Sequence, residues 1–94
     1  MRLKNKVAIV TGAGSGFGKG IALTFVNEGA KVMLVDIDFK SVESLAKEIG
    51  GNVLAIKADV SKNLDVELMI ENTIKEWGKL DILVNNAGTT HRNK

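Results

Sequence analysis

The densest chemical signal in the sequence is Thr11-Gly12-Ala13-Gly14-Ser15-Gly16-Phe17-Gly18. It follows the apolar run Val7-Ala8-Ile9-Val10 and precedes residues with helical spacing, so it reads as strand, glycine turn, helix. A turn in that place sets unpaired N–H groups and the positive end of a helix dipole against an anion, a phosphate above all. Glycines let the backbone turn tightly and approach the ligand, because no Cβ intervenes. The chemistry implied is the binding of nucleotide phosphates.

A second group adds to the first. Asp36 lies twenty positions after Gly16, at the end of the next strand-like run. A carboxylate there can accept hydrogen bonds from the hydroxyls of an adenosine ribose. The same charge repels a 2′-phosphate, so Asp36 favours NAD over NADP. The glycine spacing is not G-x-G-x-x-G: the sixth position is Phe17 counted from Gly12 and Lys19 counted from Gly14. It is Thr-Gly-x-x-x-Gly-x-Gly, carried by Thr11, Gly12, Gly16 and Gly18.

Other chemistries fit poorly. No G-K-[ST] follows the turn, which excludes a P-loop. Ala13 stands where a G-x-S-x-G elbow around Ser15 needs glycine. His91 is the sole histidine and has no partner fixed by spacing, and with no cysteine no metal site is credible. Net charge is +2 with scattered lysines, so no nucleic-acid patch forms. The lack of cysteine excludes disulfides and suits a reducing compartment. No segment approaches the roughly 18 apolar residues of a membrane span, and Met1–Lys6 lacks the apolar stretch of a secretory signal. The expectation is a cytoplasmic protein with neither nucleic acid nor membrane as partner.

These groups need elements to hold them. Continuous apolar runs predict strands at Lys6–Thr11, Lys31–Ile37, Asn52–Ala58 and Leu80–Asn85, covered on both faces where the sheet is central. Helical spacing predicts helices over Gly16–Glu28 and Lys40–Ile49, with Ile21, Ala22, Phe25 and Val26 facing inward on the first. Val42, Leu45, Ala46 and Ile49 do so on the second. Val66, Met69, Ile70, Ile74 and Trp77 predict a third helix, with Trp77 as a packed anchor at its end. Gly29, Gly50-Gly51 and Gly78 follow the helices as stop signals. The pattern βαβαβαβ predicts an α/β fold, a Rossmann-type doubly wound parallel sheet with strand order 3-2-1-4. Its ligand crevice would open beside the ends of strands one and four, at Thr11-Gly12 and Asn85-Asn86. Ninety-four residues allow one small unit, residues 1–94 as a dinucleotide-binding domain.

At Thr11–Gly18, Asp36, Asp59-Val60 and Leu80-Asp81-Ile82-Leu83-Val84-Asn85-Asn86-Ala87-Gly88 the sequence resembles the short-chain dehydrogenase/reductase family. The match covers nearly the whole chain but only the N-terminal part of a typical member. The resemblance implies that Gly12, Gly14, Ser15, Gly16, Phe17 and Gly18 form the pyrophosphate loop, and that Asp36, followed by Ile37, is the ribose acceptor of an NAD site. Asp59 and Val60 would contact adenine, and Asn86, Ala87 and Gly88 would line the cofactor. Asn85, the first asparagine of the N-N-A-G motif, would tie strands together. Phe17 departs from the usual isoleucine and is expected beneath the loop.

The resemblance further implies hydride transfer between nicotinamide C4 and an alcohol or carbonyl substrate, in a homo-oligomer. The family's tyrosine, lysine and serine have no counterpart here, because the sequence has no tyrosine and the Y-x-x-x-K motif would lie beyond Lys94. No catalytic residue is therefore assigned, and the 94 residues alone are expected to be inactive. Two other readings stay open: a stand-alone NAD- or adenine-nucleotide-binding half-domain without turnover, and a folding fragment that binds nothing well.

Overall fold

A computed structural model describes residues 2–86. Seven elements alternate along the chain: β1 (Val7–Thr11), α1 (Gly16–Asn27), β2 (Lys31–Asp36), α2 (Phe39–Ile49), β3 (Val53–Lys57), α3 (Asn63–Trp77) and β4 (Ile82–Asn85). The four strands make one parallel sheet in the order β3-β2-β1-β4. This is the expected order. The return past β1 to β4 creates the switch point beside the strand ends.

Helices cover both faces of the sheet. On one face α1 and α2 bring Ala22, Val42 and Leu45 onto Val10, Val32 and Leu34, with Ile21, Phe25, Val26, Ala46 and Ile49 packed around them. On the other face α3 brings Met69 onto Ile9, Met33 and Val35, with Val66, Ile70 and Trp77 beside it. Each large aliphatic side chain so buried contributes about 1.5–3 kcal/mol. All five residues of β1 are buried, as its continuous apolar run requires. β4 lies at the edge of the sheet and alternates half-buried with exposed residues.

The element ends differ from the sequence expectation for identifiable reasons. Lys6 is exposed outside β1, although its carbonyl accepts the Lys31 N–H at 2.9 Å. Ile37 leaves the sheet and is 60% exposed, because Asp36 Oδ1 accepts the Asp38 N–H at 3.0 Å and turns the chain. Asn52 and Ala58 flank β3 rather than belonging to it. α1 ends at Asn27, with Glu28 as its cap and Gly29 in the left-handed region at φ 94°. α2 starts one residue early, at Phe39.

Leu80 and Asp81 precede β4, and Asp81 has a distinct role. Its Oδ2 accepts the Val7 N–H at 2.8 Å, while its own N–H donates to the Val7 carbonyl at 2.9 Å. A side chain thus supplies the first rung between β1 and β4.

The inward face of α3 also needs correction. Ile74 was expected on it and is 45% exposed. Thr73 is buried in its place, on the i, i+4 row that runs from Met69 to Trp77. Its hydroxyl is satisfied within the helix, donating to the Met69 carbonyl at 2.8 Å. That bond lets a polar residue occupy an apolar face. No helix among the described residues is long and apolar enough to cross a membrane.

Candidate functional site

The site begins where β1 ends. Gly12 has φ 66°, a left-handed conformation that a side chain disfavours, and it turns the chain off the strand. Its carbonyl oxygen is held by three donors: Ser15 N–H at 3.4 Å, Ser15 Oγ at 3.3 Å and Asn86 Nδ2 at 3.5 Å. The turn is therefore pinned from its own far side and from the end of β4. Asn86 is buried in this position.

Gly18 explains why the third glycine of the motif is a glycine. A Cβ there would overlap the Gly12 carbonyl oxygen and stand 2.6 Å from its carbon and 2.9 Å from Asn86 Nδ2. The first turn of α1 rests directly on the glycine loop. Gly14 is constrained differently, since a Cβ on it would overlap Ser41 Oγ and lie 2.9 Å from Asp36 Oδ2. A Cβ at Gly16 would meet nothing within 4 Å, which leaves its surface open to a ligand.

α1 starts without a side-chain cap. Ser15 is its N-cap residue, but the hydroxyl turns back to Gly12 and makes no capping bond, and no acidic residue lies in the first turn. No capping side chain and no acidic residue of α1 itself offsets the positive end of the helix dipole. Unpaired N–H groups, a bare glycine surface and a positive helix end together fit a diphosphate.

Asp36 ends β2, and β2 is the neighbour of β1 in the sheet. Its Oδ2 accepts the Gly14 N–H at 2.9 Å, and its backbone carbonyl accepts the Ala58 N–H at 3.2 Å. The carboxylate therefore stands at the edge of the glycine loop. This places a carboxylate's acceptor oxygens beside the loop.

Asp59 follows β3 by two residues. Ser61 donates to Asp59 Oδ1 through its hydroxyl at 2.6 Å and its N–H at 3.0 Å. These bonds, the hydroxyl's first, hold the Asp59 carboxyl below its ordinary value of 3.8. The Asp59 N–H donates to Asp65 Oδ2 at 2.8 Å, which fixes the strand end to the first turn of α3. Val60 packs on the α3 side of the core.

The fourth strand closes the crevice. Thr11 and Asn85 face one another in register, and the buried Thr11 hydroxyl lies 3.1 Å from Asn85 Oδ1 and 3.3 Å from the Val84 carbonyl. Asn85 thus ties the strand ends together, as expected. Ala87 and Gly88, also assigned to the site from sequence, lie outside the described residues, as does His91.

Phe17 is a correction. It does not sit beneath the loop. It is 80% exposed and faces a shallow groove along α1 with Gly20, Ile21, Thr24 and Phe25. The glycine turn is held from below by Gly18 instead. Two contacts escaped the sequence reading: the Gly14–Asp36 bond and the seat of Ser41 against Gly14. Only a three-dimensional register of β1 against β2 brings these residues together, and no local pattern announces it. Among the described residues no group of histidine and carboxylate side chains could hold a metal ion.

Known proteins resemble the chain in sequence and in fold. A family model described as short chain dehydrogenase matches residues 6–94. Galactitol 2-dehydrogenase of Agrobacterium fabrum is 45% identical over 87 residues, covering 93% of this chain and 34% of that protein. The 7alpha-hydroxysteroid dehydrogenase of Escherichia coli is 42% identical over 91 residues, covering 94% of this chain and 36% of that protein. Among solved structures, a 3-ketoacyl-(acyl-carrier-protein) reductase from Brucella melitensis complexed with NADH superposes with a TM-score of 0.83 at 51% identity. It covers 86% of this chain and 33% of the other. A hydroxysteroid dehydrogenase from Escherichia coli gives a TM-score of 0.87 at 42% identity, over 93% of this chain and 37% of the other. The chain spans about a third of the length of these relatives. With the family model matched over nearly all of its residues and the sheet order and glycine turn in place, the chain belongs to the short-chain dehydrogenase family.

Proposed function

We propose that residues 1–94 are the NAD-binding portion of an oxidoreductase. The intact protein would transfer hydride between nicotinamide and a small alcohol or carbonyl substrate. The observation that carries this reading is the meeting of three features at one place: the glycine turn, the uncapped start of α1 and the Asp36 carboxylate beside Gly14. The NADH bound in the Brucella melitensis reductase supports a nicotinamide cofactor for this chain.

In this reading the glycine loop Gly12–Gly18 binds the pyrophosphate, with the backbone N–H groups of Gly16 and Phe17 at the start of α1 as donors. Asp36 takes the adenosine ribose, Asp59 and Val60 take the adenine, and Asn86, Ala87 and Gly88 line the cofactor. When bound, the cofactor supplies the ring that accepts or returns hydride. The proton of the alcohol needs a general base. The 94 residues contain no tyrosine to act as one, so this chain binds cofactor without turnover. Self-association and a cytoplasmic location belong to the same proposal.

Calorimetric titration with NAD and with NADP tests the cofactor assignment. The chain is expected to bind NAD more tightly than NADP. In Asp36→Ala the ratio of the two affinities should move toward one. An unchanged ratio would remove Asp36 from the ribose site. Steady oxidation of an alcohol by the 94-residue chain would contradict its assignment as a binding portion only.

A further inference from the structure

We propose that Asp36 also acts as a latch, its carboxylate holding the glycine loop in its phosphate-binding shape before any cofactor arrives. The inference rests on the cofactor site proposed above and assigns that site a positioning residue. Asp36 Oδ2 accepts the Gly14 N–H at 2.9 Å across 22 positions of sequence. Asp36 Oδ1 accepts the Asp38 N–H at 3.0 Å. Asp38 in turn is the N-cap residue of α2, and its carbonyl accepts the Ser41 hydroxyl at 2.8 Å. One carboxylate thus joins the loop after β1, the end of β2 and the start of α2.

Ser41 completes the junction from the other side. Its hydroxyl occupies the space a Gly14 side chain would need, and its Cβ would stand 3.0 Å from such a side chain. Gly14 can bring its N–H to Asp36 because it has no Cβ to meet Ser41 and the carboxylate. A hydrogen bond from N–H to a carboxylate is among the stronger ones a backbone makes. It orients the peptide before Gly14 and so the N–H groups that follow. A loop fixed in advance loses less freedom when the phosphate binds.

A ribose role and a latch role make different demands on the ligand. A ribose acceptor matters only to a ligand that carries ribose hydroxyls. A latch matters to any diphosphate. The probe is 2′,3′-dideoxyadenosine 5′-diphosphate, titrated into the 94-residue chain and its Asp36→Ala and Asp36→Asn variants. With a latch, Asp36→Ala weakens this probe by about tenfold, the effect of one charge-assisted hydrogen bond. Asp36→Asn keeps a carbonyl oxygen for the Gly14 N–H and should recover most of that loss.

Hydrogen exchange at the Gly14 amide reads the latch without a ligand. It should quicken in Asp36→Ala relative to Asp36→Asn, with the β1 and β2 amides unchanged. Unchanged probe affinity in both variants, or unchanged Gly14 exchange in Asp36→Ala, overturns the latch. If Asp36→Ala does not fold, the wild type and Asp36→Asn decide. A Gly14 amide that exchanges as freely as an exposed loop in the wild type overturns the latch by itself. Failure of the wild type to bind either NAD or the probe counts against the cofactor site instead, and the exchange measurement still decides the latch.

Discussion

Gly18 lies so close to Gly12 that a Cβ on Gly18 would stand 2.6 Å from the Gly12 carbonyl carbon and overlap its oxygen. The obstacle is backbone, so it cannot swing aside. Gly18→Ala should therefore lift α1 from the loop, cost about 1–3 kcal/mol by overpacking and abolish nucleotide binding. Gly20 is the control, since a Cβ there meets nothing within 4 Å. Gly20→Ala should stabilise the chain by up to about 1 kcal/mol, the difference in helix propensity. Urea unfolding of the two variants checks both signs.

Thr11→Val probes the seam between β1 and β4. The buried hydroxyl bridges to Asn85 and Val84, and valine keeps the shape without the donor. The loss should be about 1 kcal/mol, typical of one hydrogen bond. Hydrogen exchange should report it first at Ile82–Asn85, because β4 has no neighbour on its other side among the described residues.

Acid should loosen the same seam. The Val7 N–H holds the Asp81 carboxyl below its ordinary value of 3.8, and Lys79 at 3.2 Å adds to the effect. A carboxyl lowered on folding stabilises the chain above the unfolded value and loses that contribution as pH falls through the folded value. Ser61 lowers Asp59 in the same direction. Thermal midpoints should thus fall as pH drops below about 4. Asp81→Asn should be less stable than the wild type at pH 7, and the gap should narrow in acid. A constant gap from pH 7 to pH 3 would contradict the role given to Asp81.

Much of this was legible in the sequence, because periodicity and punctuation are local. Continuous apolar runs at Val7–Val10 and Val32–Val35 specified buried parallel strands, and Gly29 and Gly78 marked helix ends. The motif Thr11–Gly18 marked the glycine turn between β1 and α1 for the same reason. What escaped depends on contacts between distant residues. Phe17 turned outward because Gly18 takes the place beneath the loop. Thr73 displaced Ile74 from the core because a hydroxyl can satisfy itself on its own helix. The Gly14–Asp36 and Val7–Asp81 bonds span 22 and 74 positions, beyond any pattern of spacing.

NAD binding at the glycine loop is tested most directly by following backbone amide resonances during an NAD titration of the chain. The expected result is saturable shifts confined to Gly12–Gly18, Asp36-Ile37, Asp59-Val60 and Asn86-Ala87-Gly88. No saturable shift, or shifts centred at the opposite ends of the strands around Lys6, Lys31 and Asn52, would contradict it.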